Sequence, residues 1–340
     1  MNQRRRHPGI TGSSGAAIRS VRVLAGIIAA TLLTAGCSSE SAPPEELPPA
    51  LPNNWVTSLA VDPDGSLWVG TNDGLGHLSG ETWSNYSALN GLPNDLVNTV
   101  AVTHDGEVWI GTNYGAGQFR DPVWTRHGVE EGLETNWVNA VTTDPDDTVW
   151  LGTIFGLSTF NEDGSWTNTT ADDGLPNSRV TALAFADDGA MWVGTNGGLS
   201  RFVDGTWTEY TTVDGLPGDW VNAIDVDSNG VAWVATRGGL GRFDGSTWTS
   251  YTIADGLPAE WATAVSAGDD KTVWVGTTEG LATVVDGEID VPAVAQGAPD
   301  PSITALNDDG NGALWVGTKG GLGRLDGSNW TIYMANPVQP

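Results

Sequence analysis

The chain has 340 residues, with 42 acidic against 14 basic side chains and a formal charge of −28. So acidic a surface repels nucleic-acid phosphates and anionic lipid headgroups, which excludes DNA or RNA as a partner. The single cysteine, Cys37, excludes a disulfide framework and, at the end of a leader, thiol catalysis.

The first 36 residues carry Arg4, Arg5, Arg6, Arg19 and Arg22 and then the apolar run VLAGIIAATLLTAG. That run is too short to span a bilayer, which needs roughly 20 residues. A basic region, a short apolar core and small residues before a cleavage point make a signal peptide. LLTAGC also resembles the bacterial lipobox, with Thr34 at the usual leucine position and Cys37 as the acylated residue that begins the mature chain. The alternative is an ordinary signal peptide beside an incidental cysteine. Residues 37–50 (CSSESAPPEELPPA) are rich in Pro, Ser and Glu and read as an extended tether. Loss of the leader leaves nine basic against 42 acidic residues, a balance of about −33. This acidity suits solubility outside the cell, or a divalent-cation or cationic ligand.

From residue 51 onward one phrase recurs seven times: LWVGTNDGLG, WIGTNYGAG, WLGTIFGLS, WVGTNGGLS, WVATRGGLG, WVGTTEGLA and WVGTKGGLG. Its tryptophans, Trp68, Trp109, Trp150, Trp192, Trp233, Trp274 and Trp315, are spaced by 41 residues with a single 42. The units start at 51, 92, 133, 175, 216, 257 and 298. Within one unit, VTSLAVDPDG, SLWVGT, GLGHL and TWSNYS read as four short strands separated by Asp/Gly and Gly turns. Apolar residues on both alternating faces of the first two runs fit strands covered on both sides. A 41-residue period also suits a helical solenoid, but abundant Gly and β-branched residues and the missing 3.6-residue pattern argue against one. The expectation is an all-β, seven-bladed β-propeller over 51–340, with four antiparallel strands per blade. Close to 300 residues can bury the large core it needs.

The D..G.lWvGT..GL phrase resembles the two-component regulator propeller repeat, a module found outside the membrane in bacterial hybrid sensor kinases. The resemblance covers Leu51 to about Tyr333 and is ragged in the sixth repeat, where EIDVPAV replaces TWT.Y. It implies a ring outside the cytoplasm, and a glycan as the class of ligand to look for.

Seventeen tryptophans are present. The seven of the WVGT phrase, and Trp83, Trp124, Trp166, Trp207, Trp248 and Trp330 in the fourth strand, recur in register and read as packing between blades. Trp55, Trp137, Trp220 and Trp261 do not recur in every unit. They fall at its fifth position, where the other units have Leu96, Arg179 and Ser302. In a propeller the first strand lines the central channel, so this position rings the channel mouth. The residue before it is Asn54, Asp95, Asn136, Ser178, Asp219, Glu260 or Pro301. Flat aromatic faces interleaved with hydrogen-bonding side chains suit a sugar or small ligand. The bland alternative is that these tryptophans staple each leading loop to its neighbour. The turn after WVGT opens on the same face and varies too: Asn72 and Asp73, Asn113 and Tyr114, Ile154 and Phe155, Asn196, Arg237, Thr278 and Glu279, Lys319.

Catalytic chemistry is hard to assemble. His7 lies in the leader, and His77, His104 and His127 occupy different positions of the repeat without metal-ligand spacing. The DPDGSLW turn has Pro63 where the Asp box of sialidases needs an acid. Streptogramin-type lyases, also seven-bladed, are the leading enzymatic alternative, but no histidine stands on a matching motif. Paired acids could do glycosidase work. Asp225-Val226-Asp227-Ser228-Asn229-Gly230 fits the first half of a calcium loop, with Asp225, Asp227 and Asn229 converging, but Thr236 replaces the closing glutamate. Asn307 to Gly312 is a weaker echo, and a plain hairpin turn explains both. No cofactor other than calcium is expected.

The expected protein is a monomeric ring, lipid-anchored outside the cytoplasmic membrane, that binds a small extracellular ligand and serves as a sensor or capture module. The ligand is expected to be uncharged or cationic, a saccharide foremost, and Arg179 would orient it or meet a carboxylate. The alternatives are a scaffold for another cell-envelope protein and an enzyme. Cys37→Ala is expected to release the protein from the membrane fraction or leave its precursor uncleaved. Normal cleavage with unchanged membrane association, followed by fractionation and mass, would defeat the lipoprotein reading.

Overall fold

The computed structural model describes residues 50–337 except 174, 176 and 269–271. The leader, Cys37 and the tether up to residue 49 lie outside the described residues. Seven four-stranded antiparallel sheets follow one another along the chain, each built from four consecutive strands. In blade 1 these are β1 (Val56–Val61), β2 (Leu67–Thr71), β3 (Gly74–Ser79) and β4 (Thr82–Tyr86). The first strands of blades 2 to 7 begin at Val97, Val138, Val180, Val221, Ala262 and Ile303. The fold is the seven-bladed propeller expected from the repeat.

Local chemistry explains each turn. Asp64 Oδ1 accepts from Ser66 N (2.8 Å), closing the β1–β2 hairpin, and the Trp68 indole donates to Asp62 Oδ2 at 3.3 Å. Trp150 donates likewise to Asp144 (3.1 Å). At the other end of β2, the Thr71 hydroxyl donates to the Gly74 carbonyl (2.8 Å) and accepts from Asp73 N (3.2 Å). The same hydroxyl-to-glycine bond occurs in all seven blades at 2.7 to 3.0 Å. The glycine is obligatory because its φ lies between 111° and 150° in every copy, where a side chain is strained. Thus T..G in the repeat is a capped turn.

Packing runs between blades. One core cluster joins Trp68 and Leu75 of blade 1 to Leu92, Val97, Ile110 and Phe119 of blade 2. The next seam places Trp109 against Phe160, with ring centroids 5.0 Å apart. These contacts place the WVGT tryptophans in the interblade core. The ring closes in the same way, with Trp315 and Leu322 of blade 7 packed on Leu51 and Val56 of blade 1. Leu51 also bridges Ala335, whose N–H donates to Asn54 Oδ1 at 2.6 Å.

The glycine of WVGT faces the first residue of the next blade's first strand. A Cβ on Gly194 would stand 2.4 Å from Val221 Cγ1, and Gly152, Gly276 and Gly317 meet Val180, Ile303 and Val56 at 2.4 to 2.6 Å. Blade 5 has WVAT, with Ala235 in place of glycine, and blade 6 correspondingly opens with Ala262 in place of a β-branched residue. Where one side of that seam gains a methyl, the other gives up its branched γ carbons, so a small residue faces the added group.

A second device lines the channel. The second residue of each first strand is Thr or Asn, and six of the seven donate to a carbonyl of the following blade, from Thr57 to Val97 O (2.5 Å) through Thr263 to Ile303 O (2.8 Å). The seventh, Thr304 at the closing seam, has its buried hydroxyl unpaired. Gly194→Ala is expected to cost about 1–3 kcal/mol through overpacking. Adding Val221→Ala, which copies the Ala235–Ala262 seam, should leave the double variant more stable than the sum of the two single losses by about 1 kcal/mol or more, measured by denaturant unfolding. Simple additivity would show that the two sites are not in contact.

Candidate functional site

In five blades the leading loop is shaped by its third residue. Asn53 Oδ1 accepts from Trp55 N (2.8 Å), and Asn94, Thr135, Asn177 and Asp300 do the same in their blades. Every first strand then carries a bulge immediately after its first residue. The fifth-position carbonyl accepts from the T..G turn: Trp55 O from Asn72 N (3.1 Å), Trp220 O from Arg237 N (3.1 Å), Trp261 O from Thr278 N (3.3 Å). The fifth positions and the T..G turns therefore share one face of the ring, at the opposite ends of the inner strands from the Asp/Gly hairpins.

On this face Trp55, Trp137 and Trp261 are 44%, 42% and 47% exposed, whereas Trp192 in the core is 2% exposed. Tyr114 and Phe155, in the turns of blades 2 and 3, are exposed as well. Together these are the exposed aromatic residues among the described part of the chain. Trp220 differs. The Cζ of Arg237 lies 3.3 Å from its ring centroid and 4.8 Å from that of Trp261, and Arg179 lies 6.0 Å from Trp220 on the same face. Lys319 Nζ is 5.2 Å from the Trp55 ring. Neither a stacking platform nor a staple at the fifth position anticipates this cation stacking. Its signal was present in Arg237 and Lys319, each the residue directly after a WVGT or WVAT threonine.

The fourth-position residues already hold backbone groups. Asp95 Oδ1 accepts from Ala88 N (2.6 Å), Asn136 Oδ1 from Val129 N (3.0 Å) and Asp219 Oδ1 from Thr212 N (2.7 Å), each capping the loop that leaves the preceding blade. Asn54 holds Ala335 N in the same way. Glu260 stands exposed beside Trp261. The central channel contains a cavity of about 270 Å³ lined by the second to fourth residues of all seven first strands, none of them charged. The tryptophans flank this cavity and do not line it.

The family model described as the two component regulator propeller matches residues 50–73, 91–114 and 174–197. These matches fall in the first halves of blades 1, 2 and 4. Among solved structures, the extracellular domain of a B. thetaiotaomicron protein assigned to a hybrid two component system is 21% identical with a TM-score of 0.68. That match covers 84% of this chain and 40% of that one, so this chain spans less than half of its length. An inactivated virginiamycin B lyase from Staphylococcus aureus, solved with quinupristin, is 18% identical with a TM-score of 0.68, covering 82% and 97% of the two chains. PorZ, a surface component of the type-IX secretion system of Porphyromonas gingivalis, is 18% identical with a TM-score of 0.67, covering 83% and 47%. These three are likenesses of fold. No curated protein matches the chain in sequence.

The three histidines of the propeller repeats serve separate contacts. His77 stacks on Trp68 (4.0 Å) with Nε2 2.8 Å from Ser66 Oγ, His104 Nδ1 meets Asp147 Oδ1 at 2.7 Å, and His127 Nε2 meets Gln118 Oε1 at 2.9 Å. Burial holds the pKa of His77 and of His127 below the ordinary value. The calcium candidate is divided between two places. Asp225 turns into the seam with blade 6, its Oδ2 accepting from Ala267 N (2.8 Å) and its Oδ1 from Val226 N (2.9 Å). Asp227 Oδ1 instead caps its own hairpin through Asn229 N (2.9 Å) and Val231 N (3.0 Å). No group of three or more His, Cys, Asp or Glu able to hold a metal occurs among the described residues, nor is any helix there long and apolar enough to cross a membrane.

Desolvation in that seam pushes the Asp225 pKa up to about 6 from 3.8. Because the folded value lies above the unfolded one, the native state holds the extra proton between about pH 4 and 6, and stability from this group falls as pH rises through that window. Ala60, Ala101 and Ala184 occupy the same position in other blades. The stability of wild type relative to Asp225→Ala should therefore drop by up to about 3 kcal/mol between pH 4 and pH 7. Equal pH dependence of unfolding in the two proteins would place this carboxylate in water.

Proposed function

We propose that this ring is a ligand-binding module of a sensor or capture protein outside the cytoplasm, and that it holds a saccharide or other small ligand on the tryptophan face. The observation that carries this reading is the gathering of the exposed aromatic residues Trp55, Tyr114, Trp137, Phe155 and Trp261 on one face of the ring, together with the half-buried Trp220, while the tryptophans that recur in every blade pack between blades. A pyranose presents C–H groups that stack on such rings, and exposed aromatic surface unused by the fold marks a binding region. The fold likeness to extracellular domains supports an extracytoplasmic place, and Cys37 would tether the ring there.

A second reading is a docking face for another envelope protein. It is favoured by exposed Leu89, Val129, Val213 and Ile253, which stand in the loops between blades on the same side. The two separate by titration calorimetry against hits from an array of neutral and acidic glycans. Trp55→Ala and Trp261→Ala should each weaken a hit several-fold, because one stacking platform contributes about 1 kcal/mol, and should cost little stability. Trp192→Ala, at the blade seam, should cost about 3–5 kcal/mol of stability. Wild-type affinity in both mouth variants would move the site elsewhere, and an array without hits would favour the docking face.

A further inference from the structure

The ion pairs of the ring are unevenly placed. Arg120 pairs with Glu107 (2.9 Å), Arg201 with Asp188 (3.5 Å), Arg242 with Asp244 (3.9 Å) and Arg324 with Asp309 (2.9 Å). Four described cations of the ring, Arg126, Arg179, Arg237 and Lys319, have no acidic partner, in a chain with 42 acids to choose from. All four belong to the tryptophan face. Three stand over indoles, and Arg126 brings its Nε to 3.7 Å from the Cβ position of Gly115, in the turn that carries Tyr114.

We infer that Arg237 forms an anion subsite on this face that takes the carboxylate of an acidic saccharide. At 3.3 Å its Cζ rests in contact with the Trp220 ring, and Trp261 lies near it at 4.8 Å. Stacking occupies the flat face of a guanidinium and leaves its N–H edge for a planar, bidentate acceptor. The side chain is half-buried and makes no hydrogen bond of its own, so its orientation comes from the indoles and from the Arg237 N to Trp220 O bond (3.1 Å). Arg179, 6.0 Å from the same indole, adds a second positive charge at that ring. Two unpaired cations around one ring repel each other, and a bound anion relieves that repulsion. The acidity of the whole chain does not forbid the anion, because charges beyond about 8 Å are largely screened at physiological salt. A ring sugar is favoured over other carboxylates because Trp261, 47% exposed, offers a stacking surface next to the donor fork.

This inference rests on the saccharide reading and narrows it. The test titrates the full chain with a panel of uronic-acid oligosaccharides and their methyl-esterified counterparts. An acidic member should bind, its ester should bind about tenfold more weakly for loss of a charged hydrogen-bonded pair, and Arg237→Gln should abolish that preference while Arg237→Lys keeps part of it. Arg242→Gln, away from the face, should change nothing, and a melting curve checks that each variant is folded. Equal binding of acid and ester, or a preference that survives both Arg237→Gln and Arg179→Gln, overturns the anion subsite but leaves the saccharide reading standing. No binding by any acidic or neutral glycan, or Arg237-dependent binding only of peptides through their C-terminal carboxylate, overturns both.

Discussion

The contact on which this ring depends is the one between the WVGT glycine of a blade and the β-branched residue that opens the next. At about 2.4 Å from Val221 Cγ1, there is no room for a methyl on Gly194. Bare backbone on one side admits the full side chain on the other, and the WVGT tryptophan and its aromatic partners then fill the outer part of the same seam. The Ala235–Ala262 seam shows that the two sides adjust together, since the one blade that adds a methyl at the glycine position faces the one first strand that opens on alanine. Interiors are close-packed and tolerate volume-conserving exchanges far better than net additions. The closing seam obeys the same rule through Gly317 and Val56, with Leu51 and Asn54 tying the chain's first described residues to its last.

With each seam satisfied by glycine, tryptophan and the Thr/Asn channel belt, the turns are released from packing duty. The T..G turn holds its shape through a threonine hydroxyl and a glycine with positive φ, so its middle residues are not fixed by the turn itself, although Gly197, Gly238 and Gly320 approach the preceding loop too closely for a side chain. The middle positions carry Tyr114, Phe155, Arg237 and Lys319. Side chains vary at these positions while the seams stay the same, which is how a repeat protein separates scaffold from specificity.

Charge is distributed by the same logic. Half of the described cations of the propeller pair with acids, and three of these also stand over an indole, whereas Arg179, Arg237 and Lys319 on the tryptophan face stand over indoles with no acid partner. An indole holds a guanidinium without quenching its donors, whereas a carboxylate partner would occupy them. The face thus keeps positive, directional groups available beside its own carboxylates, among them Glu260, and those unpaired donors underlie the proposed preference for an acid.

The architecture was legible in the sequence because each blade repeats the same local chemistry: the 41-residue period, the alternating turns and the recurring tryptophans are short-range signals. Sorting the tryptophans by recurrence separated core from surface for the same reason, since a packing role must be filled in every copy. What the sequence could not decide were contacts made across about 40 residues or between neighbouring turns. Asn54, Asp95, Asn136 and Asp219 looked like free ligand partners, but tertiary structure engages each with a backbone N–H from the adjoining blade. Asp225 and Asp227 looked like one alternating loop, yet strand geometry sends one carboxylate into a seam and the other into a hairpin. Arg237 was one variable turn residue among several until the ring brought Trp220 and Trp261 to either side of it. Period and turn chemistry are written in consecutive residues, whereas the partner of a side chain is chosen by whichever blade lies beside it.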